Sequence, residues 1–386
     1  MLAPVIELPR TPRVLEFFAG IGLARAGLEA GGCRVVWAND IDPKKRAVYA
    51  LQYGAEHYAL ADVHDLDGAR LPDAEIAWAS SPCTDLSLAG ARQGLAGSAS
   101  SSFYGFTAAL DQMEDRKPAV AILENVTGLA SSHGGDDLRA AIREFNRLGY
   151  SADVIILDSR RWLPQSRPRL FILGLQEPGA DGWADTALRP DSVAWVHSEE
   201  GLVTHVTPLP SPPMPVEGGL TMLAEQIAPE DPRWWNPERT HAFVSSMSPV
   251  QHERLRALEA GSEVVARAAY RRTRSGRATW EMRSDDIAGC LRTARGGSSK
   301  QAIAFVGDGT LRVRWMTGRE YASLMGASHF DLTGLRESQI YFGFGDAVAV
   351  PAVKWLADYL IAPMMIAPTA LTGAGPRFER REKLRA

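Results

Sequence analysis

The chain has 386 residues, of which 45% are hydrophobic and 23% charged, and its formal net charge is −4. That is the composition of a soluble chain with a real core, long enough for one large or two modest domains, and its overall charge does not by itself point to nucleic acid. Three cysteines (Cys33, Cys83, Cys290) exclude a disulfide framework and suit a reducing cytoplasm, and Lys354 and Asp358 interrupt the best candidate for a membrane span.

The N-terminal MLAPVIELPRTPR lacks the charged-then-apolar pattern of a secretory signal. From residue 13 to about 174, short apolar runs alternate with helix-like stretches, the pattern of a parallel sheet with crossover helices on both faces. Strands are predicted at 14–18, 35–39, 58–61, 76–80, 120–123, 154–157 and 170–174. Helices are predicted at 23–30, 43–53, 103–114 and 137–148. Val120-Ala121-Ile122-Leu123 is apolar throughout, as expected of a strand buried on both faces. After Gly174 the sequence becomes rich in Pro, Gly, Trp and Ser, with a proline-dense stretch at 207–215. Helical periodicity returns at 317–325 and 347–359. The expected architecture is α/β. A large domain begins at 1–174, a smaller irregular domain fills 175–286, the chain returns at 287–372, and 373–386 is a charged tail.

In an open α/β sheet, ligands bind beyond the carboxyl ends of the strands. The first strand is followed by Phe18-Ala19-Gly20-Ile21-Gly22, where glycine lets a backbone approach a ligand at a helix N-terminus. Simple strand–helix punctuation is the plain alternative for such a turn. Asp40 follows the second strand, at the spacing of an acid that accepts ribose hydroxyls. Asp62 follows the third, either to meet an adenine amino group or to cap a helix. Ser81-Pro82-Cys83-Thr84 follows the fourth and puts a cysteine in a polar loop, where a nucleophile would be reachable, although a lone cysteine is commonly just a small buried hydrophobe. Glu124-Asn125-Val126 follows the fifth strand, and an acid at the end of an otherwise apolar strand is costly unless paired or functional. Cys33 and Cys290 are read as structural. The turn departs from G-x-G-x-x-G, because Arg25 stands where the third glycine would be. That favours S-adenosylmethionine (SAM) over a nicotinamide dinucleotide.

Taken together, these residues resemble the DNA cytosine-5 methyltransferases across nearly the whole chain outside the insert. The F-A-G-x-G turn is Phe18 to Gly22, the P-C nucleophile dipeptide Pro82-Cys83, and the E-N-V motif Glu124-Asn125-Val126. Q-x-R-x-R is Gln165-Ser166-Arg167-Pro168-Arg169, and Arg314-Trp315-Met316-Thr317-Gly318-Arg319-Glu320 resembles R-x-L-T-x-R-E. Gly345-Asp346-Ala347-Val348 resembles the closing G-N-x-V. The chain departs from the family pattern at Thr84 (usually Gln), at Asp346 (usually Asn) and at Met325-Gly326-Ala327-Ser328 (commonly Q-G-F-P).

The resemblance implies a SAM-dependent methyltransferase fold with a target-recognition domain, acting on double-stranded DNA in the cytoplasm of a bacterium or on phage DNA. It implies Cys83, Glu124, Arg167 and Arg169 as catalytic residues. A cofactor set of Phe18, Ala19, Gly20, Gly22, Asp40, Ile41, Asp62, Pro82, Asp346 and Ala347 follows, together with a contact to DNA from Ser87. Cys83 would add to C6 of a flipped-out cytosine, Glu124 would protonate or hydrogen-bond N3, and the two arginines would hold the ring carbonyl and nearby phosphates. Those arginines also read as a plain surface salt-bridge pair.

Charge within the insert is divided. Residues 267–300 carry nine Lys or Arg against three acids, net +6, whereas 181–266 carry five against thirteen, net −8. Arg271, Arg272, Arg274, Arg277, Arg292 and Arg295, with Tyr270 and Trp280 between them, suit phosphate and groove contacts, with a solvated charged face as the plain alternative. No Cys/His pair has metal-ligand spacing, so no metal is expected. The expected protein is a monomer, with no membrane association. Two other readings are a tRNA cytosine-5 methyltransferase of related fold and a catalytically silent DNA-binding protein. The target sequence and any companion restriction endonuclease are not legible.

Overall fold

Five short apolar segments, each followed by a turn and a helical crossover, set the centre of the molecule. A computed structural model describes residues 11–82, 102–274, 276–292 and 300–366. β1 (Arg13–Phe17) leads into α1 (Leu23–Ala30), β2 (Arg34–Asp40) into α2 (Pro43–Tyr53), and β3 (Tyr58–Leu60) follows. β4 (Ile76–Ser80), α3 (Ser102–Asp111), β5 (Val120–Val126), α4 (Asp136–Arg147), β6 (Ser151–Asp158) and β7 (Pro168–Leu175) complete the large sheet and its helices. Helix starts follow local chemistry. Asp42 caps α2 by accepting from Lys44 N at 2.8 Å, with Pro43 in the first turn.

The described residues form a seven-stranded sheet of order β3-β2-β1-β4-β5-β7-β6. β1 to β5 pair in parallel, and β7 runs antiparallel between β5 and β6. The chain moves outward from β1 to β3 and then returns to β4 on the other side of β1. The sheet's ligand crevice therefore opens at the carboxyl ends of β1 and β4. The antiparallel partner also explains why β5 is longer than predicted: it pairs with β7 as far as Val126↔Arg169, so Glu124 sits within the strand instead of beyond it. Helical layers bury both faces of the sheet. On one face α1 packs so closely on the C-terminal helix Val350–Leu356 that a Cβ on Gly27 would lie 2.5 Å from Val353 Cβ. The helical stretch Glu337–Met364 has the length and composition to cross a membrane, but 56% of its most apolar window is buried inside the protein.

The insert begins by covering the edge strand β6. Arg189 donates to both carboxylate oxygens of Asp153, at 2.9 and 2.5 Å, and both side chains are buried. Ala152 N reaches Val203 O at 3.1 Å, so this segment also occupies a backbone donor at the sheet's rim.

A second, four-stranded antiparallel sheet has the order β11-β10-β8-β9, from β8 (Val265–Arg274), β9 (Arg277–Met282), β10 (Ala302–Gly307) and β11 (Thr310–Trp315). No sequence pattern predicts these strands, and they lie on both sides of the expected boundary at 286. β10 and β11 therefore share the insert's sheet, and the chain leaves that sheet only after Trp315. Trp280 does not face outward as a DNA contact. It is buried with Trp235 and Phe243, and half-buried Trp315 packs against them, an aromatic cluster in the small lobe's core. The Arg314-to-Glu320 motif couples this lobe to the helix Gly318–Leu324. Arg314 and Glu320 are wholly buried and pair at 2.6 Å, while Thr317 and Glu320 form a capping box.

Candidate functional site

The turn after β1 is built from unusual backbone. Phe18 (φ 56°), Gly20 (φ 56°) and Gly22 (φ 87°) are all left-handed, and for Phe18 that is costly enough to mark a functional turn. A Cβ on Gly22 would lie 2.6 Å from Tyr53, whereas one on Gly20 would meet nothing closer than 3.9 Å. The turn is held from below: Gly20 N donates to Asp40 Oδ2 at 3.0 Å, Asp42 N to Asp40 Oδ1 at 2.9 Å, and Ala19 N to Asn39 O at 2.7 Å. Each Asp40 oxygen keeps a second lone pair for a hydroxyl. The next residue, Ile41, is a large apolar side chain left 63% exposed. Asp62 takes the capping role, accepting from His64 N at 3.0 Å ahead of the short turn Val63–Asp65. An open cradle at Gly20, an apolar platform at Ile41 and a paired acid between them fit an adenosyl group carrying an amino-acid tail.

Sequence reading passed over Glu16, although an acid inside the apolar run of β1 was a visible signal. It is fully buried. It accepts from Arg25 N at 3.0 Å, its other oxygen has no partner, and burial pushes its carboxyl up to about 8.

The second half of the site comes from register. Glu124 on β5 lies opposite Phe171 on β7, so Arg169, two residues along, shares its face. Arg169 Nε meets Glu124 Oε1 at 3.0 Å. Burial raises the Glu124 carboxyl, and the opposing charges of Arg169 and Arg167 and a bond from Ser80 do not cancel that rise. Glu124 pairs across β4 with Ser80, two residues before Pro82. Pro82 is exposed beside buried Ser81, and Asn125 Nδ2 reaches Ser81 O at 3.4 Å.

Arg167 departs from its expected role as a base or phosphate contact. It is 1% exposed, and its guanidinium donates to Leu291 O (2.7 Å), Gly345 O (2.9 Å), Ala347 O (2.5 Å) and Cys290 Sγ (3.2 Å). Its two terminal nitrogens are therefore spent on tying the start of β7 to two distant segments, while Nε is buried without a partner. Through these bonds it positions the site. Gln165 does the same, bonding Leu324 O and Leu291 N. Cys290 is likewise more than packing. Burial raises its thiol, but the Arg167 and Arg169 charges outweigh burial and hold it below the ordinary value.

The closing segment also reaches this edge. Ala347 presents its carbonyl to Arg167, and Asp346 pairs with Lys45 at 3.0 Å. On the small lobe, the hairpin residues 271–274 and Arg277 are exposed. Arg272 and Arg274 share Glu281, at 3.6 and 2.7 Å, and Arg272 lies over Tyr270. Arg267 pairs with Asp286 and Arg283 with Asp285. Much of the basic run is thus neutralised locally. Among the described residues Arg271, Arg277 and Arg292 have no ion pair. Cys83, Thr84, Ser87 and Arg295 lie outside the described residues.

The profile of the C-5 cytosine-specific DNA methylase family matches residues 12–362. The chain belongs to that family. Among its relatives, the type II methyltransferase M.HaeII of Haemophilus aegyptius is 31% identical over 163 residues, which is 42% of this chain and 50% of that protein. The orphan methyltransferase M.Rho11sI of Bacillus phage rho11s is 30% identical over 43% of this chain and 33% of its own length. The match thus spans half or less of these relatives. The fold of this family member is also that of the Schizosaccharomyces pombe Dnmt2 methyltransferase, with a TM-score of 0.60 at 18% identity over 92% of this chain and 99% of that one.

Proposed function

We propose that the protein is a SAM-dependent DNA (cytosine-5-)-methyltransferase, which methylates a cytosine flipped out of duplex DNA. The observation that carries this reading is the pair of buried Glu124 with half-buried Arg169 at the carboxyl edge of the sheet, level with the strand end that leads into Pro82-Cys83. SAM supplies the electrophilic methyl group when bound. On this reading Cys83 adds as thiolate to C6 of the ring, which makes C5 an enamine carbon able to take the methyl. Cysteine suits the task because some thiolate exists even at neutral pH. Glu124, its carboxyl raised by burial, holds a proton that it donates toward N3 as charge builds on the ring. Arg169 orients Glu124 and presents fixed donors to the ring carbonyl. Loss of the C5 proton and elimination of Cys83 complete the cycle. Phe18, Ala19, Gly20, Gly22, Asp40, Ile41 and Pro82 surround the cofactor, and Asp62 borders its adenine end.

Residues 175–286, extended by β10 and β11, serve as the target-recognition lobe, with Arg271, Arg277 and Arg292 contacting phosphate. Transfer of a labelled methyl group to duplex DNA, compared with tRNA, tests the reading. The expected result is label in DNA cytosine, abolished in Cys83→Ala while DNA binding persists. Label only in tRNA, or turnover surviving in Cys83→Ala, would overturn it.

A further inference from the structure

Asp346 stands where the family pattern has an uncharged asparagine, and a carboxylate there would disturb a nearby cofactor unless something balanced it. The structure supplies the balance from a distant part of the chain. Lys45, in the first turn of α2, places Nζ 3.0 Å from Asp346 Oδ2. The lysine side chain is 21% exposed and the aspartate 41%, so the pair is sheltered but still open to solvent. It also borders the glycine turn. The position that a Cβ on Gly20 would take is 3.9 Å from Lys45 Cδ and 3.9 Å from the carbonyl oxygen of Phe18. Burial alone would lower the Lys45 pKa, but the charges of Asp346, Asp40 and Asp42 hold it above its ordinary value, so it remains an ammonium.

The geometry points to Lys45 and Asp346 as a binding pair for the zwitterionic amino-acid tail of the cofactor, with the Lys45 ammonium taking the α-carboxylate and the Asp346 carboxylate taking the α-ammonium. The inference rests on the SAM reading of the Gly20 turn. Its reasoning is complementarity. The tail carries one charge of each sign on adjacent groups, and the protein offers one of each sign 3.0 Å apart beside the cradle. α1 adds to this: Glu16 takes the first-turn N–H of Arg25, but no side chain caps those of Leu23 and Ala24, which leaves them to a carboxylate. Charge-assisted bonds of this kind are the stronger class of polar contact, so removing one should be measurable in affinity.

Calorimetric binding of S-adenosylhomocysteine and of 5′-methylthioadenosine, which lacks the amino-acid tail, separates this from a role in holding α2 in place. Lys45→Met should weaken S-adenosylhomocysteine about tenfold or more and leave 5′-methylthioadenosine within about twofold. Asp346→Asn should shift the same ratio in the same direction, and it carries the test if Lys45→Met does not fold. Lys45→Arg should restore most of the affinity that Lys45→Met removes. Unchanged S-adenosylhomocysteine binding in both variants overturns the inference, and so does parallel weakening of both ligands. A wild-type protein that binds neither ligand overturns the SAM reading beneath it.

Discussion

Replacing Glu16 with glutamine should change how stability depends on pH. The carboxyl is fully buried in β1, and burial outweighs both its bond from Arg25 N and the Arg25 charge, pushing it from 4.5 up to about 8. Its second oxygen has no partner, which agrees with a neutral acid at that site. Between those two pH values the folded chain keeps a proton that the unfolded chain has released. The contribution of Glu16 to stability is therefore complete below about pH 4.5 and declines as pH rises. The slope approaches about 1.4 kcal/mol per pH unit, so the loss totals about 5 kcal/mol once pH passes about 8. Glutamine keeps an oxygen for Arg25 N and does not ionise. Urea unfolding between pH 5 and pH 9, followed by the fluorescence of Trp37 and Trp78 on the strands flanking β1, reads the difference. Glu16→Gln should match the wild type near pH 5 and exceed it by several kcal/mol at pH 9. Parallel profiles across that range would refute the assignment of a raised carboxyl.

Glu124→Gln should lower kcat by about 10²–10⁴-fold while S-adenosylhomocysteine still binds, because the amide can accept and donate hydrogen bonds but cannot deliver a proton; single-turnover methylation kinetics measure it. Since burial raises this carboxyl, wild-type activity should fall on the alkaline side as Glu124 loses its proton, a limb absent from the variant's residual rate. Glu320→Gln leaves Arg314 charged in a site with no exposure and should cost about 3–5 kcal/mol, read as a lower urea midpoint. Arg271→Ala with Arg277→Ala should flatten the log–log dependence of DNA affinity on salt by about 0.9 for each phosphate that is no longer neutralised, and an unchanged slope removes the hairpin from the interface.

The parallel half of the fold was legible because its information is local. Apolar runs, glycine turns and caps lie within a few residues of one another, and 76–80, 23–30 and 43–53 match β4, α1 and α2 residue for residue. The small lobe was not legible. β8 to β11 are held by pairing that reaches from Val265 to Val306 and by tryptophans brought together only in the folded chain, and neither leaves a periodic trace in sequence.

The same division runs through the site. The residues proposed to carry chemistry stand out by the order of motifs along the chain, since a cysteine, an acid and a glycine turn are recognised by residue type and position. Which of them can reach a ligand was decided by packing. Arg167 and Arg169 are two residues apart in one motif, yet the first has its terminal nitrogens bonded to carbonyls from the chain's far end and the second faces Glu124 across β5 and β7. Lys45 and Asp346 show the limit most plainly. The two charges are 301 positions apart in sequence and 3.0 Å apart in space, and Coulomb attraction depends only on the second distance.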